Sequence, residues 1–281
     1  KKKYKFEKDL SKKIEILTAI ILTGLVFKEY EENFNIGIKE LEILIKDFFD
    51  NNGFPLSRNP NDLVFFLKYL LFCKEVIKDS QKYMPEFLED IIEKNLNCIH
   101  YIKTPSNQLP LFNGATPLNL DQIEKYLENF KSDNKNNNLG GLFRIKHKKN
   151  FLLIDIDKPP EKKFSRSYQS GPLSFEFFLD GVKIITNCGF GKHISKKAEL
   201  LSRLTACQST LTINETSITK FEENEMINKV FGNSIQNSFK SFDFSSTNES
   251  NLIGCSVSNN GYEKRFGCTH KREIYFDKEN N

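Results

Sequence analysis

Apolar positions recur at helical spacing through the first part of the chain. Ile14, Leu17, Ile20, Ile21 and Leu25 form one stripe over Ile14–Phe27, and Leu41, Leu44, Ile45, Phe48 and Phe49 form another over Ile36–Phe49. Asp50-Asn51-Asn52-Gly53 ends the second helix. The loop that follows feeds a third helix continuing through Leu63–Val76. Asn59 can accept from its first-turn amides, Pro60 suits the first helical position, and Asp62 puts a carboxylate at the positive end of the dipole. Pro85 opens a fourth helix, whose buried face is Phe87, Leu88, Ile91, Ile92, Leu96 and Ile99, and Asp121–Phe130 fits a short fifth. Such helical hairpins with short loops suit a toroid or a bundle.

After the Asn-rich stretch Ser132–Gly141 the period changes to two. Leu142–His147 and Asn150–Asp157 read as strands, and Tyr168–Gly191 as a hairpin. Asp180-Gly181 supplies two residues able to take positive φ, and Val182–Asn187 returns. That turn predicts Leu179 opposite Val182, Phe177 opposite Ile184 and Ser174 opposite Asn187, with Ser174, Glu176 and Asn187 on one side and the Leu/Phe row on the other. Ser209–Ile213, Thr216–Phe221, Ile227–Phe244, Asn251–Ser258, Tyr262–Phe266 and Lys271–Phe276 are further strand-like runs, with Asn260-Gly261 as a second hairpin turn. The pattern predicts an α+β multidomain chain: a helical domain over 1–131, a linker over 132–141 and an antiparallel β-sandwich over 142–281.

Composition narrows the function. The 41 basic and 37 acidic residues leave a net charge of +4, scattered as on a solvated surface, and no clustered basic stripe points to nucleic acid. No apolar run is long enough to span a membrane. The six cysteines have no paired spacing and read as buried free thiols. The chain lacks an initiator Met, opens inside a helical pattern and stops just after a strand, which predicts a fragment and leaves the compartment open.

Leu173-Ser174-Phe175-Glu176 followed by Asn187-Cys188-Gly189 resembles the first β-hairpin of the heparinase II/III-like family, and Asn52–Leu63, Thr205–Ser217 and Gly261–Phe276 agree in the same order. The resemblance implies a partial α/α toroid followed by a β-sandwich, β-elimination on a uronate-containing polysaccharide, an acidic polysaccharide or oligosaccharide as partner, and a periplasmic location by analogy, with the cytoplasm left open. Elimination requires the sugar carboxylate to be neutralised, a base to take the neighbouring proton and an acid to protonate the leaving oxygen; Tyr and His suit the proton steps.

This chain departs from the family at those positions. In the toroid run of the Gly-His-x-Glu-Arg-Ser-Pro-x-Tyr-His type it keeps Arg58 and Pro60 but has Pro55 at the first His, Asp62 at the Tyr and Leu63 at the last His. In the β part Gln169 and Gln208 stand where His is usual, and Asn187 where Asp is often found. Zinc-binding members are expected to draw ligands from those segments, and neutral amides are poor zinc ligands, so no metal and no cofactor is expected.

The remaining candidates are mostly polar. Arg58 could pair with a sugar carboxylate or anchor its loop. Tyr168 could act as the base if Arg166 lowered its pKa, or simply pack. Gln169, Asn187 and Gln208 could bind sugar hydroxyls or satisfy backbone groups. His193 could face a cleft from its loop or be merely solvated, and His270, at a position usual in the family, reads as a hydrogen-bonded sheet residue. The alternative to a lyase is a catalytically inactive carbohydrate-binding or structural descendant of the same fold.

Overall fold

The computed structural model describes residues 4, 6–131, 138–224, 226–228 and 232–279. Most of the expected linker, 132–137, lies outside them. The chain forms two compact units that interleave in sequence: Lys1–Pro55, Asp62–His100 and Asp121–Asp133 make the first, and Leu56–Asn61, Tyr101–Leu120 and Asn134–Asn281 the second.

The helices follow the apolar stripes. They are α1 (Leu10–Val26), α2 (Glu32–Phe48), α3 (Pro60–Asp79), α4 (Glu86–Ile102) and the short α5 (Glu124–Glu128). Asp9 caps α1 through the Ser11 amide, and the Asn59 side chain accepts from Asn61 at 3.0 Å at the start of α3, as the sequence predicts. In the first unit α1 and α2 bury Ile14, Leu17, Ile21, Leu41 and Leu44. Gly24 sets their approach: a Cβ built there would lie 2.2 Å from the Phe34 backbone nitrogen. The turn after α2 is tied to α4, where Asn95 Nδ2 donates to Gly53 O at 2.7 Å and the Cys98 thiol donates to Asn52 O.

The second unit contains two antiparallel sheets. The first has order β1 (Asn138–Leu139), β2 (Leu142–His147), β3 (Asn150–Asp155), β4 (Phe175–Leu179), β5 (Val182–Ile185); the second pairs β6 (Ser241–Asn248), β7 (Leu252–Asn259) and β8 (His270–Asp277) in order. Phe143, Ile145, Leu152 and Ile154 of the first sheet share one apolar core with Cys255 and Val257 of the second. The architecture is α+β.

Several local expectations fail for identifiable reasons. A bulge between Phe177 and Phe178 puts Phe177 opposite Ile185, not Ile184, although Leu179 does face Val182. Ser209–Ile213 and Thr216–Phe221 make only isolated bridges, because Asn214 and Glu215 (φ 48° and 52°) turn the chain back on itself. Among the described residues of Ile227–Phe244, strand begins at Ser241. Asn260-Gly261 makes no hairpin: Asn259 Oδ1 accepts the Gly261 amide at 2.7 Å, and Glu263–Phe266 coils into a short helix closed by Gly267 at φ 66°. An unforeseen helix, Lys196–Ser202, is capped by Ser195 Oγ on the Ala198 amide.

Gly24→Ala sets packing against helix propensity. In an open helix the exchange would stabilise by about 1 kcal/mol. Urea unfolding should instead show a loss of about 1–3 kcal/mol from overpacking, and a gain would overturn the close approach of α1 and α2.

Candidate functional site

Arg58 and Tyr168 are both in the second unit, and both are buried. Arg58 sits at φ 59° in the loop before α3 and is 6% exposed. Its Nη2 lies 2.6 Å from Asp155 Oδ1 at the end of β3 and also donates to Gly141 O at 3.2 Å. Nη1 donates to Lys158 O at 2.7 Å and Nε to Gly140 O at 3.0 Å. The guanidinium fits against Gly141 so closely that a Cβ there would stand 2.4 Å from Nη2. Burial alone would pull Arg58 down, but the Asp155 and Asp157 charges outweigh it and hold the side chain charged. A cation so enclosed is a clasp on the sheet, and its fork is already spent.

Tyr168 is 1% exposed. Burial first, and then the Asp155 charge, push its phenol up, away from the direction a general base requires. Arg166 is exposed and packs its stem beside Gly232. Contrary to the expectation of a phenol lowered by Arg166, the Tyr168 phenol is raised by burial.

The three amides do converge. Gln169 Oε1 accepts from Gly114 N at 2.9 Å, while its Nε2 donates to Gly189 O and Ser202 O, both at 2.8 Å. Gln208 Nε2 donates to the same Ser202 carbonyl at 2.8 Å. Asn187 Oδ1 accepts from both the amide and the hydroxyl of Ser209 at 3.0 Å. These amides close loops onto one another through the backbone. Beside them stands Glu176, fully buried, whose Oε1 accepts from Thr186 Oγ1 at 2.8 Å and from the Asn187 and Leu111 amides, with Lys183 Nζ 3.5 Å from Oε2. Its alternation with Phe175 and Phe177 marked the face it takes, but nothing in the local pattern showed that this face is covered.

The donor set does not fit a zinc ion. Gln169, Asn187 and Gln208 spend their oxygens or amide protons on backbone, and no group of three His, Cys, Asp or Glu side chains that could hold a metal occurs among the described residues. The thiols differ from the expectation of uniform burial: Cys73, Cys98 and Cys255 are buried, whereas Cys188 and Cys268 are exposed and Cys207 is half-buried.

A shallow groove of about 620 Å³ is lined by Phe175, Gln208, Ser209, His270 and Arg272 among others. Of the predicted site residues only Gln208 lines it; Arg58, Tyr168, Gln169 and Asn187 do not, and His193 is exposed on the turn Gly191–His193. Arg272 stacks on the Phe175 ring and donates to Ser209 O at 2.9 Å. His270 is 7% exposed, and burial followed by the Arg272 charge lowers its pKa to about 4.

Residues 131–281 match the family described as heparinase II/III-like, C-terminal. No curated protein matches the chain significantly. Among solved structures, a heparinase III is similar at 14% identity and a TM-score of 0.74, covering 98% of this chain and 46% of that one. Heparan sulfate lyase HepC from Pedobacter heparinus is similar at 18% identity and a TM-score of 0.70, covering 95% and 44%. The chain thus spans less than half the length of these structures, which share its fold. With just over half its residues matched, the chain belongs to the heparinase II/III-like family.

Proposed function

We propose that this chain is part of a polysaccharide lyase that cleaves a uronate-containing polysaccharide by β-elimination, with its helices (1–131) part of an α/α toroid and its sheets (142–281) part of a β-sandwich. The observation that supports the reading is the family match over 131–281, joined to a fold shared over nearly the whole chain. The substrate is an acidic polysaccharide, since elimination needs a carboxylate beside the acidic carbon.

Within this reading Arg58, Gln169, Asn187 and Gln208 are positioning residues. Each holds backbone in place, and none offers a proton-transfer group to solvent. Tyr168 stays protonated behind its burial and packs. A second reading, a carbohydrate-binding descendant without turnover, is favoured by one specific observation: the amides that replace His and Asp are closed onto the backbone, which a site kept for chemistry would leave open.

The full-length protein, incubated with a panel of uronate polysaccharides with and without chelator, separates the two. Growing ultraviolet absorbance from unsaturated uronate products supports the lyase. A flat trace from folded protein that still binds one of the glycans selects the second reading.

Arg58→Met should destabilise by about 3–5 kcal/mol in urea unfolding, because it strands the Asp155 carboxylate. Pairing it with Asp155→Leu should recover much of that loss. Unchanged stability with weakened glycan binding would instead make Arg58 a substrate contact.

His270 generates a pH dependence. Its folded pKa of about 4 lies below the ordinary value near 6.5, so between those limits the unfolded chain binds more protons. Stability from this group is present above the unfolded pKa and is lost as pH falls through the window, by on the order of 3 kcal/mol. Unfolding of wild type and His270→Gln across pH 4 to 7 should differ by that slope. Parallel curves would mean that His270 titrates normally.

A further inference from the structure

Cys188 and Cys207 stand apart from the other cysteines. The Cys188 amide donates to the Cys207 carbonyl at 3.3 Å. That bond holds the two backbones side by side, and a disulfide needs α-carbons roughly 4.4–6.8 Å apart. The Cys188 thiol donates to Gly189 O at 3.1 Å, and Gln208, the residue after Cys207, reaches the Cys188 sulfur with its side chain. Two amides hold the Cys188 sulfur in place, Gln208 Nε2 at 3.6 Å and Gln169 Nε2 at 3.8 Å. Cys188 is exposed and Cys207 half-buried, so an oxidant can reach the pair, whereas Cys73, Cys98 and Cys255 are buried. Between the two lies a segment of short helices, Gly191–His193, Lys196–Ser202 and Thr205–Cys207, in which no strand is assigned.

We propose that Cys188 and Cys207 are a modification site at which an intramolecular disulfide forms, closing the segment between them into a covalent loop. With a low-molecular-weight disulfide such as oxidised glutathione, one cysteine thiolate attacks a glutathione sulfur. That step breaks the glutathione S–S bond, expels one glutathione as its thiolate and leaves a mixed disulfide. The second cysteine then attacks the protein sulfur of the mixed disulfide and expels the second glutathione. Two cysteine thiols are oxidised, one glutathione disulfide is reduced, and the two protons end on the departing glutathiones. The bond would pin Ser202, the carbonyl shared by Gln169 and Gln208, beneath a cross-link. Burial and the neighbouring Cys207 both push the Cys188 thiol up, so exchange should accelerate as pH rises above neutrality.

The test uses the full-length wild-type protein, so no variant has to fold. It is equilibrated in glutathione buffers from fully reduced to fully oxidised, quenched with acid, alkylated under native and then denaturing conditions, and mapped by peptide mass spectrometry. The expected result is a linked Cys188–Cys207 peptide two hydrogens lighter than the sum of its parts, with both thiols lost together over the same buffer range. Cys268, exposed elsewhere, should carry glutathione instead. Glutathione on Cys188 with Cys207 still alkylable, a link from either cysteine to Cys268, or two free thiols in fully oxidised buffer would each overturn the proposal.

Discussion

The second unit depends on the buried Arg58 cation. Arg58 is removed from water and meets one carboxylate and three carbonyls, those of residues 140, 141 and 158. Desolvating a guanidinium is costly, and the Coulomb attraction to Asp155 offsets that cost only because nearly every remaining donor is satisfied. The geometry explains the local sequence: Gly141 has no side chain to collide with the guanidinium, Asp155 closes β3, and Asp157 returns its own amide to Asp155 Oδ1 at 3.2 Å. A lysine could not replace this arrangement, since a single ammonium cannot reach carbonyls on several sides in a planar fork.

The amides play a related part a few residues away. A neutral imidazole offers one donor and one acceptor, whereas a glutamine offers two donors and a carbonyl. Gln169 uses that difference: it accepts from Gly114 and donates twice, to Gly189 and Ser202. Exchanging His for Gln at such a position gives up proton transfer and metal ligation and gains a three-way strut. Asn187, at a position where the resemblance expects Asp, is satisfied less completely: its buried Nδ2 has no hydrogen-bond partner, which carries a cost of about 1–3 kcal/mol.

Much of this architecture was legible in the sequence because it is periodic. The stripes of α1 to α4, the Asn59 cap, β2 and the Asp180-Gly181 turn all follow from local rules. What the sequence hid depends on partners distant along the chain. Arg58 reads equally as a substrate fork or an anchor until Asp155, nearly a hundred residues later, is seen against it. Glu176 alternates like a solvent-facing strand residue, yet its face is covered by the Leu111 and Asn187 amides. The bulge at Phe177 and the coiling of Tyr262–Phe266 escape period-two reasoning because single side-chain or register choices, such as Asn259 on the Gly261 amide, decide them.

Rigidity around Tyr168 bears most directly on chemistry. The segment leading into β4 has little regular structure of its own and is fixed by arginines. Arg203, fully buried above the Phe221 ring at 3.9 Å, donates to Tyr168 O at 2.8 Å and to Ser165 O at 3.1 Å, and burial lowers its pKa to about 10. Its carbonyl takes the Ser170 amide in return. Burial first, and then the Asp155 charge, raise the phenol, while the Arg58 charge opposes that rise. Arg203 fixes the Tyr168 backbone, and the ring packs with Ile218, Ile235 and Phe239, so turning it out toward a sugar would open that apolar cluster. Under the lyase reading proposed above, the proton would have to go to a base other than Tyr168, whose phenol burial keeps protonated.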